Sequence, residues 1–496
     1  MRANLIIKIR LMERESFMAT KHSVRVIQQK DIDDVLAIQE DWLIDKKGKD
    51  IKPAKLSRTI SAFANTNGGD IYLGISHTED KTKYYWDGFV NEEQMNDFIT
   101  TIDNMFLSYE DYSLESYQHY KDNTIILHIV IGKTQKIIYA SDGKAYIRQG
   151  VQNLPCDTEE KLLRLHLDKG LSSFEDEYTQ TNLDDLKDSL VLSEFLLKVA
   201  PTTTPYDWLR RQKVMDSNAR ISVAGVLLYD ECPQAILPKQ SAIKILRYHT
   251  DEIEGTRETL DEGYPITIEG DIYTLIHDSV NKTKEIVEEP GVVGKNDIEA
   301  KEYPEVTLHE IITNAVLHRD YSIKKDIQIR IFTNRIEIES PGKLPGHITL
   351  ENILQEQCAR NPKMVRLIAK FPSPPNKDVG EGLNTAFNAM TKMQLKQPQI
   401  KETDVGVLVI IRHERLADAE TVVWDYLQTH STISNSIART LTGITDANKM
   451  KYVFNRLKAQ GKIRIVLGTR GSATLWEKTG ENNDSVENKQ LSLFEF

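Results

Sequence analysis

Apolar and polar positions change period several times along the chain, and each change marks an element. Lys55 to Asn65 (KLSRTISAFAN) carries apolar residues at helical spacing. TNGGD breaks that pattern, and IYLGI, TIILHIVI and KAYIRQG then read as strands. The mixture predicts an α+β domain over 22–155. Residues 156–190 are acidic and polar (FEDEY, LDDLKD) and predict a helical connector. Over 191–295, SVAGVLLYD and SAIKILRYH read as strands, and GDIYTLIHDSVNKTKEIVEE as a long amphipathic helix. Residues 296–415 open on a helix, TLHEIITNAVLHR, followed by strands IQIRIF and RIEIES around a TNR turn. Residues 416–478 read as three helices and a two-stranded hairpin. Residues 1–21 form a flexible leader and 479–496 a polar tail. No run approaches the ~18 apolar residues that span a bilayer, so no membrane partner is expected.

Length and composition sharpen this picture. A chain of 496 residues is too long for one core and predicts three or four domains. With 40% apolar residues, the chain can bury cores. Cys156, Cys232 and Cys358 form no CxxC pair, which excludes a disulfide scaffold and a cysteine-rich zinc module and fits a reducing, cytoplasmic setting. The net charge of −11 argues against a chain that coats nucleic acid along its whole length. Residues 419–478 depart from it, with nine Lys and Arg against four Asp and Glu. That local +5 leaves −16 for the rest.

The first chemical constellation is EDWLIDKK (40–47) followed by SAFANTNGGDIYLGI. Two glycines and free amides where a strand begins can approach a phosphate closely. Glu40, Asp45, Lys47, Ala62 to Asn65, Gly68, Gly69, Gly74 and the closing Tyr146-Ile147-Arg148-Gln149-Gly150 match, in order, the motifs of the Schlafen AlbA-like domain, which residues 30–155 resemble. Some members are metal-dependent RNases with three acids. The resemblance offers Glu40 and Asp45 as catalytic carboxylates sharing Mg2+. The third acid is missing: its place reads Gly74-Ile75-Ser76-His77, with Asp80 nearby but shifted. The alternative is that both acids pair with Lys46, Lys47 or Lys49 on a solvated face, leaving a domain that binds DNA or RNA without cutting it.

The second constellation is HEIITNAVLHRDYS, which spaces Glu310, Asn314 and His318 along one helical face. A carboxylate and a carboxamide one turn apart suit a water and a Mg2+, the Asn oxygen ligating the metal and Glu310 orienting the water. SPGKLPG (Ser340, Gly342) and VGEGL (Gly380, Gly382) follow, and a Gly-x-Gly turn entering a helix can hold phosphate. With Ala315, Arg319, Asp320, Tyr321, Pro341, Arg360, Asn361 and Pro362, this set resembles the GHKL-type ATPase-like domain found C-terminally in RecG-like proteins. The resemblance implies an α/β sandwich that binds ATP with Mg2+ at Asn314, His318, Ser340, Gly342, Gly380 and Gly382, with Glu310 as catalytic residue. Ser340 stands where general GHKL ATPases use an Asp to read the adenine amine, which leaves hydrolysis open. No GxxxxGK[ST] loop exists, so a P-loop helicase motor is excluded.

The helix–helix–helix–hairpin order of 416–478 is that of a winged helix-turn-helix. Its basic excess points to DNA, with Lys449, Lys451 and Asn455 on the third helix and Arg470 in the wing as contacts. Trp424, Tyr452, Phe454 and Trp476 fit core spacing better than stacking roles. In the tail, Gln490-Leu491-Ser492-Leu493-Phe494 resembles the pentapeptide that docks bacterial proteins on the sliding clamp, making Gln490, Leu491, Leu493 and Phe494 partner-binding candidates. The combined expectation is an α+β multidomain cytoplasmic protein: a nucleotide-responsive, DNA-binding transcriptional regulator acting as a homo-oligomer. The alternative is a metal-dependent nuclease or ATPase effector in defence against foreign nucleic acid.

Overall fold

Helix Pro53–Asn65 is the scaffold of the N-terminal domain in this computed structural model. The structure describes residues 23–78, 80, 82–237, 241–288, 303–375, 382–393, 395–413, 419–442, 444, 446–466 and 474–479. Pro53 opens the helix, where its missing N–H costs nothing. Leu56, Ile60 and Phe63 form a buried stripe. That stripe packs on a five-stranded sheet ordered β1-β6-β7-β3-β2. Its strands are β1 (Ser23–Ile27), β2 (Ile44–Lys47), β3 (Gly69–Leu73), β6 (Tyr112–His119) and β7 (Ile125–Ile131). β4 (Ile75–His77) pairs with β5 (Tyr84–Trp86), and β8 (Tyr146–Gln149) with β9 (Gln152–Pro155). β7 is apolar apart from buried His128 because both its faces are covered, by helices Pro53–Asn65 and Asn96–Met105 on one side and Gln29–Ala37 on the other.

Helix Glu159–Asp168 begins the connector, its first turn capped by the Thr158 hydroxyl. The connector then contributes β10 (Tyr178–Asn182), paired with β11 (Arg220–Ser222), a strand the polar composition concealed. Residues Val223–Tyr229 correct the sequence reading. SVAGVLLYD is a helix, capped by Ser222, with all seven helical residues buried. A short run that is apolar on every side has no readable period, so helix and strand look alike.

The segments read as 191–295 and 296–415 share one sheet and one apolar core. The sheet is ordered β13-β12-β14-β15-β17-β16. It uses β12 (Ile243–Arg247), β13 (Ile266–Ile268), β14 (Ile327–Ile331), β15 (Arg335–Pro341), β16 (Gln399–Glu402) and β17 (Gly406–Arg412). β14 and β15 alternate strictly: Ile329 opposes Ile338 toward the core, while Arg330 pairs with Glu337 and Glu339 on the other face at 3.2 Å each. Helix Glu305–Leu317 lies between helices Ile272–Glu288 and Gly382–Lys392.

The C-terminal domain runs helix Ala419–Thr429, β18 (Ile433–Ser434), helices Asn435–Thr442 and Ala447–Ala459, β19 (Ile463–Ile465) and β20 (Leu475–Lys478). Val423, Leu427, Met450 and Phe454 form its core, with Phe454 stacked on Trp476 at 5.0 Å. Tyr452 departs from the core expectation and is 67% exposed.

One buried acid ties the connector to the central domain. The Glu175 carboxylate accepts the N–H groups of Lys363 (2.6 Å) and Met364 (2.7 Å) at the start of helix Pro362–Ile368. Burial nevertheless pushes its pKa up from 4.5 to about 7. The folded form therefore holds the proton more tightly than the unfolded chain. Its stabilising contribution is full below about pH 4.5 and is lost as pH rises to about 7. The urea midpoint is expected to fall across that window, and the Glu175 share of the fall to vanish in Glu175→Gln. An unchanged slope in the variant would contradict this.

Candidate functional site

Helix Glu305–Leu317 and the sheet beside it enclose a cavity of about 230 Å³. Six residues singled out in the sequence, spread from 310 to 382, line it: Glu310, Asn314, His318, Ser340, Gly342 and Gly382. Ile338, Val407 and Val409 provide an apolar wall. The helix ends at Leu317, so His318 is its cap residue and no longer helical; its N–H bonds Asn314 O at 3.0 Å. Burial, reinforced by Arg360, lowers the His318 pKa to about 4. At neutral pH it is an uncharged hydrogen-bonding group and supplies no cation. The Ser340 hydroxyl donates to Ala315 O at 2.6 Å, which leaves its oxygen as an acceptor toward the cavity. A Cβ at Gly382 would stand 2.3 Å from Glu310 Oε2, so glycine is what lets that carboxylate lie against the start of helix Gly382–Lys392. Gly380 lies outside the described residues.

This donor set fits Mg2+ only in company with a nucleotide. Among the described residues no three acidic, His or Cys side chains converge on one metal position. Asn314 and Glu310 offer few ligands, and Mg2+ ordinarily completes its shell with phosphate oxygens and water.

Ala315 also lines the cavity, whereas Arg319, Asp320, Tyr321, Arg360 and Asn361 lie outside its lining and lock the fold. Arg319 is fully buried, donates to Ile323 O and lies over the Tyr321 ring at 4.8 Å. The Tyr321 hydroxyl donates to Val316 O. Asp320 binds Arg164 (2.7 Å) and Arg360 (3.3 Å). Asn361 donates to Leu317 O and Arg319 O, tying off the end of helix Glu305–Leu317. Arg164 belongs to the connector helix and carried no signal in the sequence, since a lone Arg on a charged helix reads as surface.

A second, larger opening of about 660 Å³ lies on the N-terminal domain. Glu40 faces it together with Lys47, Lys55, Arg58, His77 and Asn153. Asp45 is buried, and burial raises its pKa. Lys47 Nζ stands 2.6 Å from Asp45 and 4.0 Å from Glu40, and Arg148 lies 3.8 Å from Asp45. An ammonium thus lies where the two acids would otherwise share a metal. Lys46 is pulled away: its ammonium takes the carbonyls of Val35, Leu36 and Ile38 at the end of helix Gln29–Ala37. Asp80 is held in its own turn by Thr78 and Thr82.

In the NTNGG turn, two amides are already taken by the helix that precedes it. The amides of Thr66 and Gly68 bond Phe63 O, and that of Asp70 bonds Leu43 O. Gly69 is needed because a side chain would meet Leu43 O at 2.5 Å. Lys55, Arg58 and Asn153 were missed in the sequence; Lys55 and Arg58 belong to helix Pro53–Asn65, and only the fold brings Asn153 of β9 beside them.

On the C-terminal domain Lys449, Lys451 and Asn455 are exposed on helix Ala447–Ala459, opposite buried Met450, Phe454 and Leu457. Arg470, Gln490, Leu491, Leu493 and Phe494 lie outside the described residues, as does the 1–21 leader. No helix among the described residues is long and apolar enough to cross a membrane.

Two family models match the chain. Residues 40–157 match "Schlafen, AlbA_2" and residues 324–411 match "Putative ATP-dependent DNA helicase recG C-terminal". The second match begins after the helix that carries Glu310 and Asn314. No curated protein matches. Among solved structures, the DIP2311 protein from Corynebacterium diphtheriae is similar over 88% of this chain and 91% of that one, at 19% identity and a TM-score of 0.40. The chain therefore combines a Schlafen AlbA_2 domain with an ATPase-like domain of the RecG C-terminal type.

Proposed function

We propose that this protein is a nucleotide-responsive, DNA-binding regulator. The observation that carries the reading is the convergence of Glu310, Asn314, His318, Ser340, Gly342 and Gly382 on one half-apolar cavity. Ile338 and Val409 would form the wall for a base, and Ser340 Oγ would accept a hydrogen bond from it. Asn314 supplies an oxygen to a nucleotide-bound Mg2+, and Glu310 is the candidate to orient a water. The C-terminal domain, a winged helix in this reading, meets DNA through Lys449, Lys451 and Asn455, since basic exposed residues on one helix opposite a packed face are the form of a groove-reading helix. The Lys47 ammonium between Glu40 and Asp45 favours binding of nucleic acid at the N-terminal groove over metal-dependent cleavage there.

Calorimetry with ATP and Mg2+ tests the pocket. Wild type is expected to bind, and Asn314→Ala to weaken binding at least about tenfold, equivalent to ~1.4 kcal/mol, at an unchanged melting temperature. A flat wild-type titration removes the nucleotide reading. Loss of residues 419–478 without loss of duplex DNA affinity removes the DNA reading.

A further inference from the structure

The wall of the nucleotide cavity is held by the N-terminal domain. Lys133, just past β7, donates to Leu344 O (2.8 Å) and Ile348 O (2.9 Å), and both residues line the cavity. The same short loop is gripped from the connector: Gly346 N–H bonds Asp168 O at 2.9 Å. One residue on, Lys169 is 1% exposed, and its ammonium reaches Ala64 O (2.6 Å) and Thr134 O (2.5 Å). The Thr134 amide also donates to Ala64 O at 3.1 Å, while its hydroxyl donates to Lys136 O at 2.7 Å. Ala64 sits in the last turn of helix Pro53–Asn65, the rigid element that carries Lys55, Arg58 and Thr59 into the N-terminal groove.

Charge-assisted and buried hydrogen bonds, joined through the Lys133–Thr134 peptide link, thus connect the two openings: cavity wall, Lys133, Thr134 with Lys169, Ala64, groove helix. Such bonds are short and costly to leave unmade, so a shift of the 344–348 wall has to be followed by its partners or break them. We infer that nucleotide in the central cavity and single-stranded nucleic acid in the N-terminal groove are energetically coupled through Lys133. This rests on the nucleotide reading of the cavity and on nucleic acid being the ligand of the groove. By linkage the effect is reciprocal: each ligand changes the affinity for the other by the same factor.

The test uses the full chain and a short fluorescein-labelled single-stranded RNA, followed by anisotropy with and without saturating ATP and Mg2+. ATP is expected to change the RNA Kd of wild type at least about fivefold, the lower end of ordinary allosteric coupling. Lys133→Met is expected to keep RNA binding without ATP and to remain saturable by ATP in calorimetry, at whatever ATP affinity it retains, while the ratio at saturation collapses to unity; Lys133→Arg restores it. Lys55→Ala with Arg58→Ala is expected to weaken RNA binding itself. The coupling is overturned if Lys133→Met keeps the wild-type ratio, or if wild type binds both ligands with no ratio at all. Should Lys133→Met fail to fold, Lys169→Met, which breaks the next link, carries the same prediction. Calorimetry on the same preparation reports separately whether ATP binds, so failure of the nucleotide reading is distinguishable from failure of the coupling.

Discussion

Asp320→Ala is expected to destabilise the central domain by about 3–5 kcal/mol, the usual cost of removing one partner from a buried ion pair. The carboxylate is 2% exposed and stands between Arg360, itself 4% exposed, and Arg164 of the connector. Without it, Arg360 keeps a buried charge whose direct partners are the Lys343 and Leu167 carbonyls, with Asp168 as the remaining nearby carboxylate. The two guanidiniums hold the Asp320 pKa below the ordinary carboxylate value, against the upward push of burial. A folded pKa below the unfolded one means that this contribution is present at neutral pH and lost as pH falls through the acid range. Asp320→Asn retains the shape and one acceptor and should lose less. Urea unfolding followed by hydrogen exchange in helix Glu305–Leu317 checks both, and a wild-type midpoint for Asp320→Ala would refute the latch.

Asn65→Ala is expected to cost on the order of 3 kcal/mol in the N-terminal domain. Its carboxamide nitrogen donates to Ile138 O (2.8 Å) and Tyr146 O (3.0 Å), and its oxygen accepts Ile138 N–H (2.9 Å), all buried. Each buried group left unpaired costs about 1–3 kcal/mol. The same side chain sets the position of β8, and β8 brings Arg148 against Asp45. Loss of Asn65 should therefore show as faster hydrogen exchange over 138–149 and a lower melting temperature for this domain. Unchanged exchange there would mean the carboxamide is dispensable.

Both variants bear on what motifs record. AFANT leads into a turn that could approach a phosphate, yet Asn65 is a packing residue and the Thr66 and Gly68 amides are spent on Phe63 O. HRDY and RNP belong to the same motif order as Glu310 and Asn314, yet of their residues only His318 lines the cavity, while Arg319, Asp320, Tyr321, Arg360 and Asn361 form the latch behind it. Order along the chain cannot separate the two roles, because a residue facing a ligand and its neighbour facing the core recur at the same spacing.

By itself the sequence determined the elements whose period is readable. These are helix Pro53–Asn65, the β14–β15 alternation, the long helix Ile272–Glu288 and the three C-terminal helices, together with Glu310, Asn314, His318, Ser340, Gly342 and Gly382 among the residues that line the central cavity. Periodicity is a local property, written in which side of an element is apolar. Tertiary structure decided the rest. It made Val223–Tyr229 a helix, ran one sheet through the segments read apart, brought Asn153 beside Lys55 and Arg58, and joined Lys133 to the cavity wall. These outcomes depend on which distant surface covers a group and which distant carbonyl meets a donor, and such partners lie tens to hundreds of residues away along the chain, beyond the reach of any local pattern.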